Sequence, residues 1–205
     1  MTIYTIGHSN YPVEWLIQML RNYNIDTVVD IRGTPYSKYN IQYNKEVIEK
    51  TLKSEGFIYI YMASELAAKR INKSSYNEYG YADFEKVINE REFINGIVRL
   101  KKGCAMGYNI VLLGAMQDPI RCHRSILCGR ELRKSEFNVL HILDDCSTCS
   151  QEEIEIRILD KYFPDRAQLT IDYLVGNEIT EREMINEAYR KANKEIGYRI
   201  ENIKK

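Results

Sequence analysis

The sequence predicts an α/β fold built on a mostly parallel sheet, and three observations carry that prediction. Short aliphatic runs alternate with amphipathic stretches over the first two thirds of the chain, as strands joined by crossover helices would. Two of the runs stop at glycine, Ile3 to Ile6 at Gly7 and Asn109 to Leu113 at Gly114. After Asp144 the alternation gives way to helical periodicity alone.

The elements follow in order. Ile3 to Ile6 reads as the first strand. Pro12 suits the first turn of a helix in which Trp15, Leu16, Met19, Leu20 and Tyr23 recur at helical spacing. Thr27 to Ile31 is a buried second strand. Asn44 to Glu55 is helical, with Val47, Ile48, Thr51 and Leu52 on one face and Gly56 as its stop. Phe57 to Met62 gives a third strand, Tyr81 to Lys102 one or two helices ended by Gly103, and Asn109 to Leu113 a fourth strand. Cys122 to Lys134 is helical, and Asn138 to Leu143 is the fifth strand. Downstream, Ser150 with Glu153 and Thr180 with Glu183 have capping-box spacing. Ile154, Ile158, Leu159 and Tyr162 mark one amphipathic helix; Ile185, Ala188, Tyr189, Ala192 and Ile196 mark a second.

These elements imply a Rossmann-like three-layer sandwich with a mostly parallel five-stranded sheet. Residues 1–145 form its core, and residues 146–205 a helical C-terminal extension packed on that core within a single domain.

The 205 residues carry 29 basic and 29 acidic side chains, a formal net charge of zero. Neutrality argues against a surface coated for non-specific nucleic-acid binding, while a local basic site stays open. No apolar run approaches the ~20 residues of a membrane span. The start, MTIYTIGHSNYP, lacks the basic and apolar regions of a signal peptide. A cytoplasmic location without a membrane partner is expected, and the five cysteines read as reduced thiols.

In open α/β sheets, ligands bind beyond the carboxyl ends of strands where strand order reverses. Three such ends are polar here: His8-Ser9-Asn10 after strand one, Asp30 and Arg32 after strand two, and Gly114 to Pro119 leading into Arg121-Cys122-His123-Arg124 after strand four. In the order 3-2-1-4-5 the three loops meet in one crevice holding His8, Asp30, Arg32, Cys122, His123 and Arg124. Backbone N–H groups at the start of the Cys122 helix favour an anion, and Arg32 and Arg124 can fork onto a phosphate or carboxylate. A cysteine in the first turn of a helix, beside His123 and flanked by Arg121 and Arg124, has reason to be a thiolate and a nucleophile, with a histidine as acid–base. The same residues also have a structural reading. Cys122 can be a small buried apolar residue, His123 a helix-opening hydrogen-bonder, and Asp30 with Arg32 an ion pair at a strand end.

Sharper motifs are absent. Cys128, not arginine, stands six residues after Cys122, so the phosphate loop Cys-x5-Arg does not fit. No Gly-x-Gly-x-x-Gly or Walker A run occurs, and no cofactor is expected. Cys146 and Cys149 form a lone Cys-x-x-Cys, with His141 upstream inside a strand; a surface turn is expected, and no metal site. Sixteen tyrosines include Tyr36, Tyr39 and Tyr43 beside Ser37, Lys38 and Asn40. Aromatic residues among basic ones can stack on bases, and tyrosine with a polar tip is also ordinary packing.

Ile-Gly-His-Ser-Asn after the first strand, Val-Asp-Ile-Arg with Pro35 and Ser37 after the second, and Asp118-Pro119-x-x-Cys122-His123-Arg124 resemble the DUF488 family, a domain of unknown function. Tyr43-Asn44-Lys45, Tyr81-Ala82-Asp83-Phe84 and the stretch from Asn193 to Arg199 extend the resemblance over nearly the whole chain. It implies a Rossmann-like fold and a polar pocket containing these motif residues, among them Ser9, Asn10, Ser37, Tyr43 and Asp118. The family pattern has Cys-x-Glu at the end of strand four, where this chain has Gly114 and Met116. The resemblance therefore implies that Asp30, Glu65 or Asp118 substitutes for the glutamate, or that activity is changed or missing.

Three functions of different class are open from these readings. The first is a cofactor-independent enzyme, of hydrolase or nucleic-acid-base-processing type, acting on a phosphorylated or nucleotide-like substrate or on a base within nucleic acid. Arg32 and Arg124 would hold the anion, His8 or His123 would move the proton, and Asp30 would orient or assist. The second is a non-catalytic nucleotide or nucleic-acid binding module using the same anion site. A thiol-based redox or metal site at Cys122 is a third.

Overall fold

The structure is a computed structural model and describes residues 1–166 and 180–200. Its strands are β1 (Thr2–Gly7), β2 (Thr27–Asp30), β3 (Ile58–Tyr61), β4 (Ile110–Gly114), β5 (Asn138–Ile142) and β6 (Thr148–Ser150), in the order β3-β2-β4-β1-β5-β6. The first five are parallel, and β6 is antiparallel to β5. Both faces of the sheet are covered, which makes the fold the expected Rossmann-like three-layer sandwich.

Side-chain alternation decides which helices lie on which face. Ile6, Val28, Val111 and Leu113 face α1 (Val13–Asn22) and α2 (Lys45–Ser54), whose Leu16, Leu20, Ile48 and Leu52 are fully buried. Ile3, Val29, Ile31, Ile110 and Leu112 face the opposite layer. That layer comprises α3 (Ala63–Leu66), α4 (Phe84–Val87), α5 (Arg91–Ala105), α6 (Arg130–Lys134), α7 (Gln151–Tyr162) and α8 (Glu181–Ile196). Each leucine or isoleucine so buried contributes about 1.5–3 kcal/mol over leaving it in water.

The strand order differs from 3-2-1-4-5 in one respect: β4 lies between β2 and β1. Order is set by long-range pairing, which local periodicity does not encode. The three polar strand ends remain adjacent, so they still face one crevice. The sheet also has a sixth strand where a surface turn was expected. Cys146 does turn the chain, at φ 67°, but Cys149 is buried in β6 opposite His141. Both capping boxes form, Ser150 with Glu153 and Thr180 with Glu183. Gly56 ends α2 at φ 88°, as its position implied. Gly103 lies inside α5 and not at its end.

The expected helix from Cys122 to Lys134 is the other departure. Cys122 is extended, and residues Arg124–Gly129 form a π-helical turn before α6. Such turns are rare and cluster at functional sites. No helix among the described residues is long and apolar enough to cross a membrane.

Candidate functional site

A crevice of about 760 Å³ opens over the carboxyl ends of β2, β4 and β1. It is lined by His8, Ser9, Asn10, Arg32, Ser37, Tyr43, Asp118, Cys122 and His123, all predicted from sequence. Asp30 and Arg124 do not reach it; both are fully buried behind its wall.

The β2 end is a closed hydrogen-bonded unit. Asp30 accepts from Arg32 Nε at 2.8 Å, from Nη2 at 2.6 Å, from the Arg32 backbone N–H at 3.0 Å and from the Tyr59 hydroxyl at 2.7 Å. Arg32 Nη1 donates to the Tyr43 carbonyl at 2.8 Å and to His8 Nε2 at 3.0 Å. Of the five N–H groups of Arg32, one on Nη2 is left over for a ligand. The ion-pair reading of Asp30 and Arg32 therefore describes the wall, with Asp30 orienting Arg32 and no lone pair free for proton transfer.

His8 is locked as well. Its Nδ1 donates to the Ser9 carbonyl at 2.7 Å, a bond made possible by Ser9 at φ 48°. Nε2 is then the acceptor for Arg32, and the ring stacks on Tyr43 with centroids 4.0 Å apart. Burial, and next the Arg32 charge, hold the imidazole pKa down to about 4. At neutral pH His8 is uncharged with both nitrogens engaged, which is a poor starting point for a proton carrier.

Cys122 and His123 are arranged differently. His123 Nε2 donates to the Ile31 carbonyl at 3.0 Å, which turns Nδ1 towards Cys122 Sγ, 3.9 Å away. Burial alone would push the Cys122 thiol up. The hydrogen bond and charge of His123, followed by the charge and backbone N–H of Arg124, bring it down to about 6. His123 moves the other way: its burial is outweighed by Cys122, and its pKa rises. Both shifts act in the direction of a thiolate beside an imidazolium, and the Cys122 side chain lines the crevice.

Arg124 supports this pair from behind. Its guanidinium donates to the carbonyls of Met116 and of Gln117, the latter at 2.6 Å, and through Nε to Thr5 Oγ1 at 3.2 Å. No carboxylate forms an ion pair with it among the described residues. Two carbonyls and a hydroxyl take its N–H groups, and negative charge on the Cys122 sulfur would be favoured beside it. The space for the Arg124 side chain comes from two glycines in register, Gly7 on β1 beside the guanidinium and Gly114 on β4 beside its aliphatic stem. A Cβ at Gly7 would collide with the Met116 carbonyl and Arg124 Nη1, and one at Gly114 would lie 2.9 Å from Cys122 Sγ. Sequence reading made Arg124 a ligand arm. The π-helical turn sends it inward instead, while Cys122 and His123 stay on the crevice side.

The remaining predicted residues shape the loops. Ser37 Oγ accepts from the backbone N–H of Tyr39 and Asn40, each at 3.1 Å. Asp118 caps the turn at Pro119–Arg121 and pairs with Arg157 at 2.9 Å. Sequence reasoning missed Lys69, which also lines the crevice, together with Ile196 and Tyr198 from the Asn193–Arg199 stretch of the resemblance. Lys69 follows α3 beyond the carboxyl end of β3, and Ile196 and Tyr198 reach the crevice from the end of α8 by long-range packing. The exposed rim is cationic, with Lys69 and Arg121 in no ion pair among the described residues; Lys69 Nζ lies over the Tyr198 ring, 5.3 Å from its centroid, and Tyr36 is exposed. Among the described residues no group of three His, Cys, Asp or Glu side chains is placed to hold a metal ion.

A family model described as domain of unknown function DUF488 matches residues 12–130, which include most of these motifs. No curated protein and no solved structure matches the chain.

Proposed function

The chain belongs to the DUF488 family, and from that premise we propose that it is an enzyme whose own side chains supply nucleophile and proton carrier for a small anionic, phosphorylated or nucleotide-like substrate. The observation that carries this reading is the Cys122–His123 pair, with His123 aimed at the sulfur by the Ile31 carbonyl. Lys69, Arg121 and the free N–H of Arg32 favour an anion, and the exposed Tyr36 ring offers a face to a planar base.

The chemistry has two steps. The Cys122 thiolate forms a bond to the electrophilic centre of the substrate, and the bond to the leaving group breaks with its electron pair. The His123 imidazolium gives the leaving group its proton. Water then displaces the sulfur while His123 takes a proton from it, which restores both groups.

Alkylation of Cys122, followed by mass spectrometry of its peptide, tests the reading without a known substrate. The rate should rise with pH around an inflection near 6. His123→Ala should move the inflection up towards an ordinary thiol. Iodoacetate, an anion, should gain on iodoacetamide relative to a free thiol, and inorganic phosphate should protect. An ordinary thiol profile in the unmodified protein, or indifference to reagent charge, overturns the proposal.

A further inference from the structure

Behind the crevice a file of buried polar side chains runs from Arg124 to the C-terminal helices. Thr5 Oγ1 accepts from Arg124 Nε at 3.2 Å and donates to His141 Nδ1 at 2.7 Å. His141 Nε2 donates to Gln151 Oε1 at 2.8 Å. The Gln151 amide donates to the Ser125 carbonyl at 3.2 Å and to the Tyr189 hydroxyl at 2.8 Å, and Tyr189 donates to Glu155 at 3.0 Å. Thr5, Arg124 and His141 are fully buried, with Gln151 and Tyr189 nearly so.

The direction of every bond is determined by its neighbours. The Ser125 carbonyl can only accept, so the Gln151 amide nitrogen faces it and the amide oxygen faces His141. His141 therefore donates from Nε2, and the Nδ1 of the neutral ring accepts the Thr5 hydroxyl proton. Gln151 reaches this position because residue 129 is glycine; a Cβ there would overlap its side-chain oxygen. Four elements thus converge on one guanidinium: β1 through Thr5, β5 through His141, α7 through Gln151 and α8 through Tyr189.

We propose that His141, acting through Thr5, is a positioning residue that holds the Arg124 guanidinium in the Gly7–Gly114 slot beneath Cys122, so that the packing of α7 and α8 sets the reactivity of the thiol. The proposal rests on the reading of Cys122 as the nucleophile. Its physical content is orientation. The surrounding Met116 and Gln117 carbonyls hold only Nη1 and Nη2, and without Thr5 and His141 the Nε side of Arg124 has no acceptor. The guanidinium would then rotate towards other partners and away from the sulfur. The groups facing His141 are Thr5, Gln151 and, by charge, Arg124 and Arg157; none of them is acidic, and burial with the Arg124 charge keeps the ring neutral at physiological pH.

The test is the pH profile of Cys122 alkylation by iodoacetamide in the full chain, for Thr5→Val and His141→Gln. Thr5→Val keeps shape and removes only the hydroxyl, so it remains informative if the histidine variant folds poorly. Both variants should shift the inflection upward and slow alkylation near pH 6 on the order of threefold to tenfold, as thiolate occupancy falls. The rate at high pH, where the thiol is fully ionised, should be unchanged. A low wild-type inflection that neither folded variant moves overturns this inference and leaves the nucleophile reading standing. An ordinary thiol profile in the wild type overturns both.

Discussion

Gly7 and Gly114 lie directly opposite one another on β1 and β4, and the Arg124 side chain occupies the room their missing side chains leave. The carboxyl edge of the sheet is therefore notched, and a buried cation sits in the notch beside the Cys122 sulfur. Gly7→Ala should be the more damaging substitution, because the added methyl meets backbone as well as Arg124. We expect a loss of about 1–3 kcal/mol in urea unfolding. Gly114→Ala meets the thiol at 2.9 Å and should displace Sγ, slowing alkylation of Cys122 more than it lowers stability.

Asp30→Asn should cost about 3–5 kcal/mol, because Arg32 would keep its buried charge and lose its partner. Thermal unfolding measures this directly. A change of under about 1 kcal/mol would mean that Arg32 finds another anion or moves to solvent.

Stability should fall as pH drops from about 7.5 to about 4.5. His8 and His141 have folded pKa values of about 4 and about 3 against an ordinary 6.5, so the unfolded chain binds protons that the folded chain refuses. Cys122 acts in the same direction, since stabilisation from its lowered pKa is present above 9 and is lost as pH falls through about 6. His123, raised by its partner, opposes this where it takes up its proton. The net loss should be on the order of a few kcal/mol, read from the urea midpoint at the two pH values. Equal midpoints would contradict it.

Replacing Lys69 and Arg121 together by Ala should weaken phosphate protection of Cys122 several-fold and reduce the preference for iodoacetate, while the inflection with iodoacetamide barely moves. Both side chains are exposed, so the fold should be unaffected. Undiminished phosphate protection would place the anion elsewhere in the crevice.

Much of this architecture was legible because it is local. Aliphatic runs marked five strands, and Gly56 and the two capping boxes marked helix ends. Adjacent polar strand ends brought His8, Arg32, Cys122 and His123 to one crevice even with the strand order misjudged by one exchange. Roles were harder to read than places. Cys122, His123 and Arg124 are consecutive, and which of them faces solvent depends on a π-helical turn that has no simple period. Asp30 and His8 look like acid–base groups in sequence, but each acquires a full set of partners from Arg32, Tyr59 and Ser9 only when the chain folds. The two glycines that end β1 and β4 were read as strand stops, and their register makes them a slot.

The Arg124 notch also links the fold to the chemical state of the sulfur. On the proposed thiolate reading, an adduct that removes the negative charge from Cys122 leaves the Arg124 guanidinium with carbonyl and hydroxyl partners alone. A neutral carbamidomethyl group should therefore loosen the protein, whereas a carboxymethyl group, which carries its own negative charge, should restore the balance. The protein's melting temperature would then serve as a gauge of what is attached to Cys122, rising and falling with the charge of the adduct.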